Sequence, residues 1–177
     1  NKLIKQDGVC VIIGPSRSDN SMAIKPVAEE NQIPVISCAA AEEIVKPIPK
    51  WVFKTPQFDS DCVRRIYAHM NSVGIKEIAI ITATEGFGKA GRDHLQKLAP
   101  EFGITILADE TYDAKDTDMT AQLTRIRGTN AQAIINWSIV PAQSIVPNGL
   151  GRLRSGSTLF ERRRQRVIRF RLRQAAG

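Results

Sequence analysis

Short apolar segments alternate with amphipathic helical segments along most of this chain, and this alternation restricts the fold more than any other feature. The apolar segments have the length of strands; they are "GVCVIIG" (8–14), "IPVISCAA" (33–40), "WVFKT" (51–55), "EIAIITA" (77–83), "ITILADE" (104–110) and "AQAIINW" (131–137). "GVCVIIG" is a continuous apolar run, which is typical of a strand buried on both faces. Segments with helical periodicity cover residues 18–32, 60–74, 88–103 and 118–128. Strands joined by helices of this length form right-handed βαβ units, so the sequence predicts an α/β protein with parallel sheets.

The order of these elements changes near Lys54–Gln57. Before this point three strands follow one another with a single long helix, and after it strands and helices alternate regularly. We therefore predict a first lobe over residues 1–54 and a second lobe over residues 55–149, joined by a crossover at "KTPQ". A chain of 177 residues is long enough to form two small lobes. Residues 150–177 form a separate Arg-rich tail.

The basic residues of the chain are concentrated in this tail. The chain has a net charge of +7, but residues 151–177 alone contain nine Arg and one acidic residue. The remaining 16 basic and 17 acidic residues leave residues 1–150 close to neutral. The Arg cluster, with Phe160 and Phe170, suits contacts to phosphates and bases, so a basic-tailed nucleic-acid-binding protein is one alternative. The alternation in "VIRFRLR" also fits an edge strand, and the neutral body leads us to expect no nucleic-acid partner.

The loop "GPSRSDNS" (14–21) joins the first predicted strand to the first predicted helix. Backbone N–H groups at the start of a helix, together with the helix dipole, favour a carboxylate or a phosphate. Ser16 and Ser18 would add hydroxyl donors, although the spacing of a Walker A phosphate loop is absent. The segment is therefore either an anion-binding loop or an ordinary strand-to-helix loop with a serine cap.

The segment "GFGKAG" (86–91) matches the G-x-G-x-x-G pattern of dinucleotide-binding loops. It follows a predicted strand and begins a helix, and Asp109 lies at the end of the next strand, where a ribose-binding acid is expected. An NAD-binding oxidoreductase domain that uses Gly86–Gly91 is therefore a second alternative. However, the residues "ATE" separate the strand from the first glycine, whereas the dinucleotide pattern places that glycine directly after the strand.

The chain offers few residues for catalysis or for metal binding. Its two histidines, His69 and His94, fall on predicted helix surfaces, and no serine or cysteine lies in a G-x-S-x-G elbow. The acidic pairs at positions 29–30 and 42–43 fit solvated helix faces. His, Cys and Asp residues do not recur at the spacing of metal ligands. We therefore predict no enzyme activity, no metal site and no cofactor.

The three cysteines, Cys10, Cys38 and Cys62, contain no C-x-x-C spacing. We predict that they are small, buried apolar side chains, and an oxidising compartment would allow one disulfide among them. No apolar run is long enough to cross a bilayer. The opening "NKLIKQDG" is similar to the end of a helix and not to a signal peptide, so we expect a longer parent protein.

Several segments together resemble the substrate-binding proteins of branched-chain amino acid ABC transporters, which are type I periplasmic binding proteins, also called extracellular ligand-binding receptors. The similar segments follow one another in unbroken order over residues 1–147; they are "VCVIIGPSRSDNSMAIKPVAEENQIPVIS", "KWVFKTPQ", "EIAIITATEGFGKAGRDHLQKLAPEFGITILADETYDAKDTDMTAQLTRI" and "AQAIINW". The resemblance implies two Rossmann-like lobes that close on an amino acid or a related small carboxylate. It also implies a non-catalytic protein, in the periplasm or outside the cell, that delivers its ligand to a membrane permease.

The resemblance further implies ligand-binding residues on both sides of a cleft between the lobes. The loop with Ser16 and Ser18, and the small residues after the second strand, would hold the ligand carboxylate, while Phe87 would cover the ligand from the second lobe. The glycines of "GFGKAG" would then allow close packing of the loop and the helix. The complete predicted set is Ser16, Ser18, Ala39, Ala40, Ala41, Phe87, Ser138 and Ile139.

The chain departs from the family pattern at both ends. Family members have a further strand–helix unit before "NKLIKQDG" and a long C-terminal half, which completes both lobes and carries the acid that pairs with a ligand ammonium. The similarity ends after "VPAQSIVPNGL", so we expect that no further strand follows and that both lobes are incomplete. Incomplete lobes leave unpaired sheet edges, which favour self-association.

Overall fold

Two parallel sheets organise the chain in a computed structural model, which describes residues 2–148 and 166–169. The strands are β1 (Ile12–Ile13), β2 (Val35–Ser37), β3 (Val52–Lys54), β4 (Glu77–Ala83), β5 (Thr105–Tyr112), β6 (Ala133–Trp137) and β7 (Arg166–Arg169). The α-helices are α1 (Lys2–Lys5), α2 (Ser18–Asn31), α3 (Asp59–Ser72), α4 (Gly86–Leu98) and α5 (Thr120–Arg127). Short 3-10 helices cover Glu42–Ile44, Pro100–Phe102 and Pro141–Ser144. None of the described helices has both the length and the apolar character needed to cross a membrane.

Neighbouring strands are parallel in both sheets. The first sheet has the order β1-β2-β3, and the second has the order β5-β4-β6-β7. In the second sheet the chain passes from β4 to β5 on one side and then returns to β6 on the other side. A reversal of this kind creates a crevice at the carboxyl end of the strands, where open α/β sheets bind ligands. The predicted α/β fold with parallel sheets is confirmed.

The second sheet is covered by helices on both faces. Alternate side chains of a strand point to opposite faces. Ile78 and Ile80 of β4 therefore pack with residues of α3 and α4, whereas Ile81 packs with residues of α5. All three isoleucines are fully buried. A strand that is buried on both faces is mostly apolar, which explains the apolar run over residues 78–81 of β4.

The first sheet is covered on one face only. Val35 and Val52 are in register, and both are buried in a core to which α2 contributes. On the other face Ile13, Ile36 and Phe53 form a row across the three strands. Ile13 is 76% exposed and Phe53 is 53% exposed. The prediction that the first strand is buried on both faces is therefore wrong, because no described element covers this face.

The tail contributes a strand to the second sheet. β7 pairs with the edge of β6, from Arg166 opposite Ala133 to Arg169 opposite Asn136. The expectation that no further strand follows is therefore corrected, and the edge-strand interpretation of "VIRFRLR" is confirmed for part of that segment. The open edge of β6 presents backbone N–H and C=O groups, which a segment of β-branched residues can pair. The rest of the predicted tail lies outside the described residues.

The three cysteines are free thiols, and two of them are exposed. Cys10 and Cys38 lie at the surface, whereas Cys62 is half-buried. The prediction of buried apolar side chains is therefore wrong for Cys10 and Cys38. Cys10 comes before an edge strand, and Cys38 lies in the loop after β2, so neither position is enclosed by a second layer.

We expect the two faces of the first sheet to respond differently to truncation. Ile44, in the 3-10 helix that packs with the covered face, is fully buried, so Ile44→Ala should lower the free energy of unfolding by about 2–5 kcal/mol. Ile13 is exposed, so Ile13→Ala should change the same free energy by less than about 0.5 kcal/mol. Urea unfolding followed by circular dichroism measures both values. Equal losses in the two variants would contradict the description of an uncovered face.

Candidate functional site

The candidate site lies where the carboxyl ends of strands from the two sheets meet. In the first sheet, residues 14–17 follow β1 and residues 38–41 follow β2; in the second sheet, residues 84–85 follow β4. Helix α4 brings these loops together, because Gly86 at its start lies against the backbone of Asp19 in α2. A Cβ atom added to Gly86 would lie 2.7 Å from the Asp19 amide nitrogen. The start of α4 is therefore in direct contact with the start of α2 at this edge.

Hydrogen bonds join the two loops of the first sheet into one surface. The Cys38 amide donates to the Pro15 carbonyl (2.9 Å), and the Ala41 amide donates to the Ser18 hydroxyl (3.3 Å). Ser18 is consequently only 2% exposed. Ser16, in contrast, is exposed. The two predicted serines therefore have different environments. Ser18 is buried beneath the joined loops, whereas Ser16 is exposed at their edge.

The three alanines after β2 line the side of this surface that faces α4. Ala39 and Ala41 are buried and share a core with Ala90 of α4. Ala40 is half-buried and packs against the core cluster that contains Phe87. Small side chains at these positions leave room for α4. The structure therefore brings the predicted alanines together with the start of the helix that carries Phe87.

Glu85 and Trp137 hold Phe87 in position. The Glu85 carboxylate accepts hydrogen bonds from the backbone N–H groups of Phe87 (2.7 Å) and Gly88 (3.0 Å), so it caps α4. Burial raises the pKa of Glu85, while these two hydrogen bonds oppose the increase. The ring of Phe87 packs against that of Trp137 with a centroid distance of 5.4 Å. Sequence reasoning missed both residues, although an acid at a helix start is a recognisable signal.

The glycines of "GFGKAG" are required by close packing. A Cβ atom added to Gly88 would lie 2.0 Å from the Ala83 carbonyl oxygen, and one added to Gly91 would lie 2.1 Å from Nε1 of Trp137. Both distances are shorter than any real contact of a Cβ atom, so only glycine fits at these positions. The interpretation of this segment as a packing device is confirmed.

The same segment is poorly suited to a dinucleotide phosphate. The amides at the start of α4 already bind the Glu85 carboxylate, which would repel a second anion. Asp109, the candidate ribose ligand, instead accepts hydrogen bonds from Arg92 (2.8 Å) and from Gln96. The geometry therefore disfavours the NAD-binding alternative.

The two predicted residues after β6 have different environments. Ser138 is 8% exposed and accepts a hydrogen bond from the Val140 amide (3.0 Å). It directly follows Trp137, the ring partner of Phe87. Ile139 is 43% exposed. The structure thus places Ser138 in a buried turn next to the aromatic pair and leaves Ile139 at the surface.

An exposed ion pair lies at the start of α2, beside the joined loops. The Arg17 guanidinium donates two hydrogen bonds to the Asp19 carboxylate, at 3.2 and 2.8 Å. The hydrogen bond from Arg17 holds the pKa of Asp19 below its ordinary value. Because both side chains are well exposed, the pair contributes little to stability. Arg17 is nevertheless a cation close to the point where an anionic ligand would meet α2.

Asp59 is a buried carboxyl group just after the crossover between the lobes. It is 1% exposed, and burial raises its pKa to about 7, while the charge of Lys54 opposes this increase. The Lys54 ammonium donates to the Gln57 carbonyl (3.0 Å) and lies 4.5 Å from the centroid of the Phe58 ring. Contacts of Lys54 therefore hold the crossover segment together. The carboxyl group of Asp59, just after this segment, has a pKa of about 7. Sequence reasoning missed Asp59.

The predicted surface positions of Glu42 and His94 are wrong. Glu42 is 6% exposed, and the side chain of His94 is 16% exposed. They face each other because α4 packs into the cores of both sheets. His69 is exposed, as predicted. Among the residues that the structure describes, no group of three His, Cys, Asp or Glu side chains is arranged to hold a metal ion.

Comparison with known proteins identifies one family over most of the chain. The family described as periplasmic binding protein matches residues 1–145. A solved extracellular ligand-binding receptor from Rhodopseudomonas palustris HaA2 is 26% identical, with a TM-score of 0.81 over 88% of this chain and 44% of that chain. A second extracellular ligand-binding receptor from R. palustris is 25% identical, with a TM-score of 0.77 over 86% of this chain and 42% of that chain.

A third solved structure supports the fold alone. It is an ABC transporter solute binding protein from R. palustris in complex with 4-hydroxybenzoate. Its identity to this chain is 20% and its TM-score is 0.74, over 88% of this chain and 43% of that chain. The chain thus spans less than half the length of each of these solved proteins.

We expect Asp59 to make the chain less stable as the pH rises. Its folded-state pKa is about 7 against an ordinary value of 3.8, so the folded state keeps a proton that the unfolded state has released. Between pH 5 and pH 7 this linkage lowers the free energy of unfolding by about 2 kcal/mol, with a slope of at most about 1.36 kcal/mol per pH unit, and the loss levels off above pH 7. Urea unfolding at pH 5 and pH 8 measures it.

The matched variants are Asp59→Asn and Asp61→Asn. Asp59→Asn should remove this loss, whereas Asp61→Asn should keep the pH profile of the wild type, because Asp61 is exposed. An Asp59→Asn profile as steep as that of the wild type would contradict the assignment.

Proposed function

The chain belongs to the periplasmic binding protein family, and from this membership we propose that it is part of a solute-binding protein of an ABC transporter. Its ligand is an amino acid or a related small carboxylate, which the parent protein delivers to a permease in the membrane. The parent protein works in the periplasm or outside the cell. The family match supports this proposal, and so does the ABC transporter protein that shares the fold.

The observation that carries the proposal is the joined loop surface of Ser18 and Ala41, which lies opposite the start of α4. The hydroxyls of Ser16 and Ser18, at the positive end of the α2 dipole, are suited to a carboxylate. The buried alanines beside them form an apolar wall for the carbon skeleton of a small ligand. The first lobe therefore binds the charged group of the ligand.

The second lobe closes over the bound ligand. In this proposal residues 1–54 and residues 55–149 form the two lobes, and they move about the crossover. Phe87 covers the ligand through apolar or stacking contact, since phenylalanine lacks a hydroxyl. Ser138 and Ile139 complete the wall on the same side. Opening of the cleft would separate Gly86 from Asp19, which touch in the closed arrangement.

The proposal includes no catalytic residue, no cofactor and no nucleic-acid partner. A dinucleotide phosphate is disfavoured at the start of α4, because the Glu85 carboxylate already binds the amides there. The backbone of residues 166–169 pairs within the second sheet, which gives part of the basic tail a structural role. We further propose that open strand edges of the two sheets allow self-association.

Calorimetric titration tests the proposed function. The panel contains branched-chain amino acids and 4-hydroxybenzoate as small carboxylates, with NAD and a single-stranded oligonucleotide as representatives of the rival classes. We expect saturable binding of at least one carboxylate and no saturable binding of NAD or of the oligonucleotide. Binding of NAD or the oligonucleotide, without binding of any carboxylate, would replace the proposal with the corresponding alternative.

Single substitutions test the assigned residues. Ser18→Ala removes a hydroxyl donor and also frees the Ala41 amide, so it should weaken the affinity for the bound carboxylate by about tenfold. Phe87→Ala should weaken it by a similar factor, because it removes the aromatic cover. Ser72→Ala is the matched control, since Ser72 is exposed on α3. Wild-type affinity in both Ser18→Ala and Phe87→Ala would place the ligand elsewhere.

A further inference from the structure

A contact between a buried carboxylate and a mostly buried imidazole joins the two lobes. The Nε2 atom of His94, on α4, lies 3.3 Å from the Oε2 atom of Glu42, in the 3-10 helix that follows β2. Glu42 belongs to the first lobe and His94 to the second. Other ion pairs among the described residues stay within one lobe; they are Arg17–Asp19, Lys46–Glu42, Arg64–Glu101, Arg92–Asp109 and Arg125–Glu110.

Each oxygen of the Glu42 carboxylate has its own basic neighbour. The Lys46 ammonium donates to Oε1, and the His94 imidazole lies against Oε2. Burial acts to raise the pKa of Glu42, but the hydrogen bonds from Lys46 and Ser60 and the charge of His94 together hold this pKa below its ordinary value. Glu42 is therefore an anion at neutral pH, and a buried anion requires compensating partners.

Glu42 Oε2 and His94 Nε2 face each other as groups of potentially opposite charge. Glu42 Oε2 and His94 Nε2 are both buried, and neither makes a hydrogen bond within the part of the chain that the structure describes. A buried polar atom without a partner destabilises the fold. When both ring nitrogens of His94 carry protons, the imidazolium and the Glu42 carboxylate attract each other as opposite charges across the lobe boundary.

Further charged and polar groups surround the pair from each element packed there. Lys46 follows the 3-10 helix, Lys54 ends β3, and Asp59 and Ser60 begin α3. Lys46 donates a hydrogen bond to the Glu42 carboxylate, Ser60 helps to lower its pKa, Lys54 attracts it, and Asp59 repels it. His94 is the contact to Glu42 from α4.

We propose that Glu42 and His94 form a charged tie that holds the two lobes in the closed arrangement, and that the tie weakens when the imidazole loses its charge. An imidazole is neutral in sufficiently alkaline solution, so the tie weakens as the pH rises. It also weakens at acid pH, once the Glu42 carboxylate takes up a proton. The tie exists without a ligand. Its effect on ligand affinity rests on the proposed function, in which Glu42 and His94 are positioning residues.

A double-mutant cycle tests the tie. The free energy of unfolding in urea is measured at about pH 6 and about pH 8.5 for the wild type, Glu42→Gln, His94→Gln and the double variant. At the lower pH, each single variant should unfold at a lower urea concentration, and the double variant should lose clearly less stability than the two single variants together. At the higher pH this coupling should disappear. Asp59 is present in all four proteins. Its own pH-dependent contribution to stability is therefore subtracted when the coupling free energy is calculated.

His69→Gln is the matched control, because His69 is an exposed histidine. It should leave the urea midpoint unchanged at both pH values. Additive losses at about pH 6, or a coupling of equal size at both pH values, would overturn the tie. Should Glu42→Gln fail to fold, the wild type and His94→Gln decide the question alone. The difference between their urea midpoints must shrink as the pH rises, and a constant difference would overturn the tie.

Ligand titration separates the tie from the proposed function. If a carboxylate of the panel binds, His94→Gln should weaken its affinity at about pH 6, while His69→Gln should bind as the wild type does. Equal affinities of His94→Gln and wild type would overturn the positioning role. A chain that shows the pH-dependent coupling but binds no carboxylate would support the tie and contradict only the proposed function.

Discussion

Helix α4 packs against both sheets, and the rest of the described structure depends on this contact. Ala90 lies in the core of the first sheet, whereas Leu95 lies in the core that α4 shares with the second sheet. Two glycines make this double contact possible, because Gly86 touches the backbone of Asp19 and Gly91 touches the indole of Trp137. A larger side chain at either glycine would push the helix away from one sheet. Small residues on α4 therefore determine how this helix packs against both sheets.

The position of α4 places two functional features along one helix. Its first turn, capped by Glu85, presents Phe87 to the loops of the first sheet. About two turns later, His94 contacts Glu42. In our proposals, the candidate cleft and the charged tie therefore both depend on how α4 is placed against the first sheet. A ligand that favours closure and a charge that favours closure would therefore act in the same direction, as expected for linked equilibria.

Local periodicity made much of this structure predictable from the sequence. The strands, the long helices and the edge that carries the loops follow from apolar patterns and from the rules for parallel sheets. Ser16 and Ser18 were selected because their loop joins a strand to a helix, whereas Phe87 was selected only through the resemblance to the family. The burial of Glu42 and His94 was not predictable, because it depends on packing between segments that are distant in the sequence. The exposure of Ile13 depends in the same way on a covering layer, about which periodicity carries no information.

Amide hydrogen exchange, with and without a bound small carboxylate, tests most directly the claim that the ligand is held between the first-sheet loops and the start of α4. At saturating ligand, peptides that cover residues 14–18, 38–41 and 85–88 should exchange more slowly, because closure orders these segments. Peptides from α5, on the far face of the second sheet, should exchange at an unchanged rate. Unchanged exchange in all three loop segments, under conditions where calorimetry shows binding, would contradict the claim.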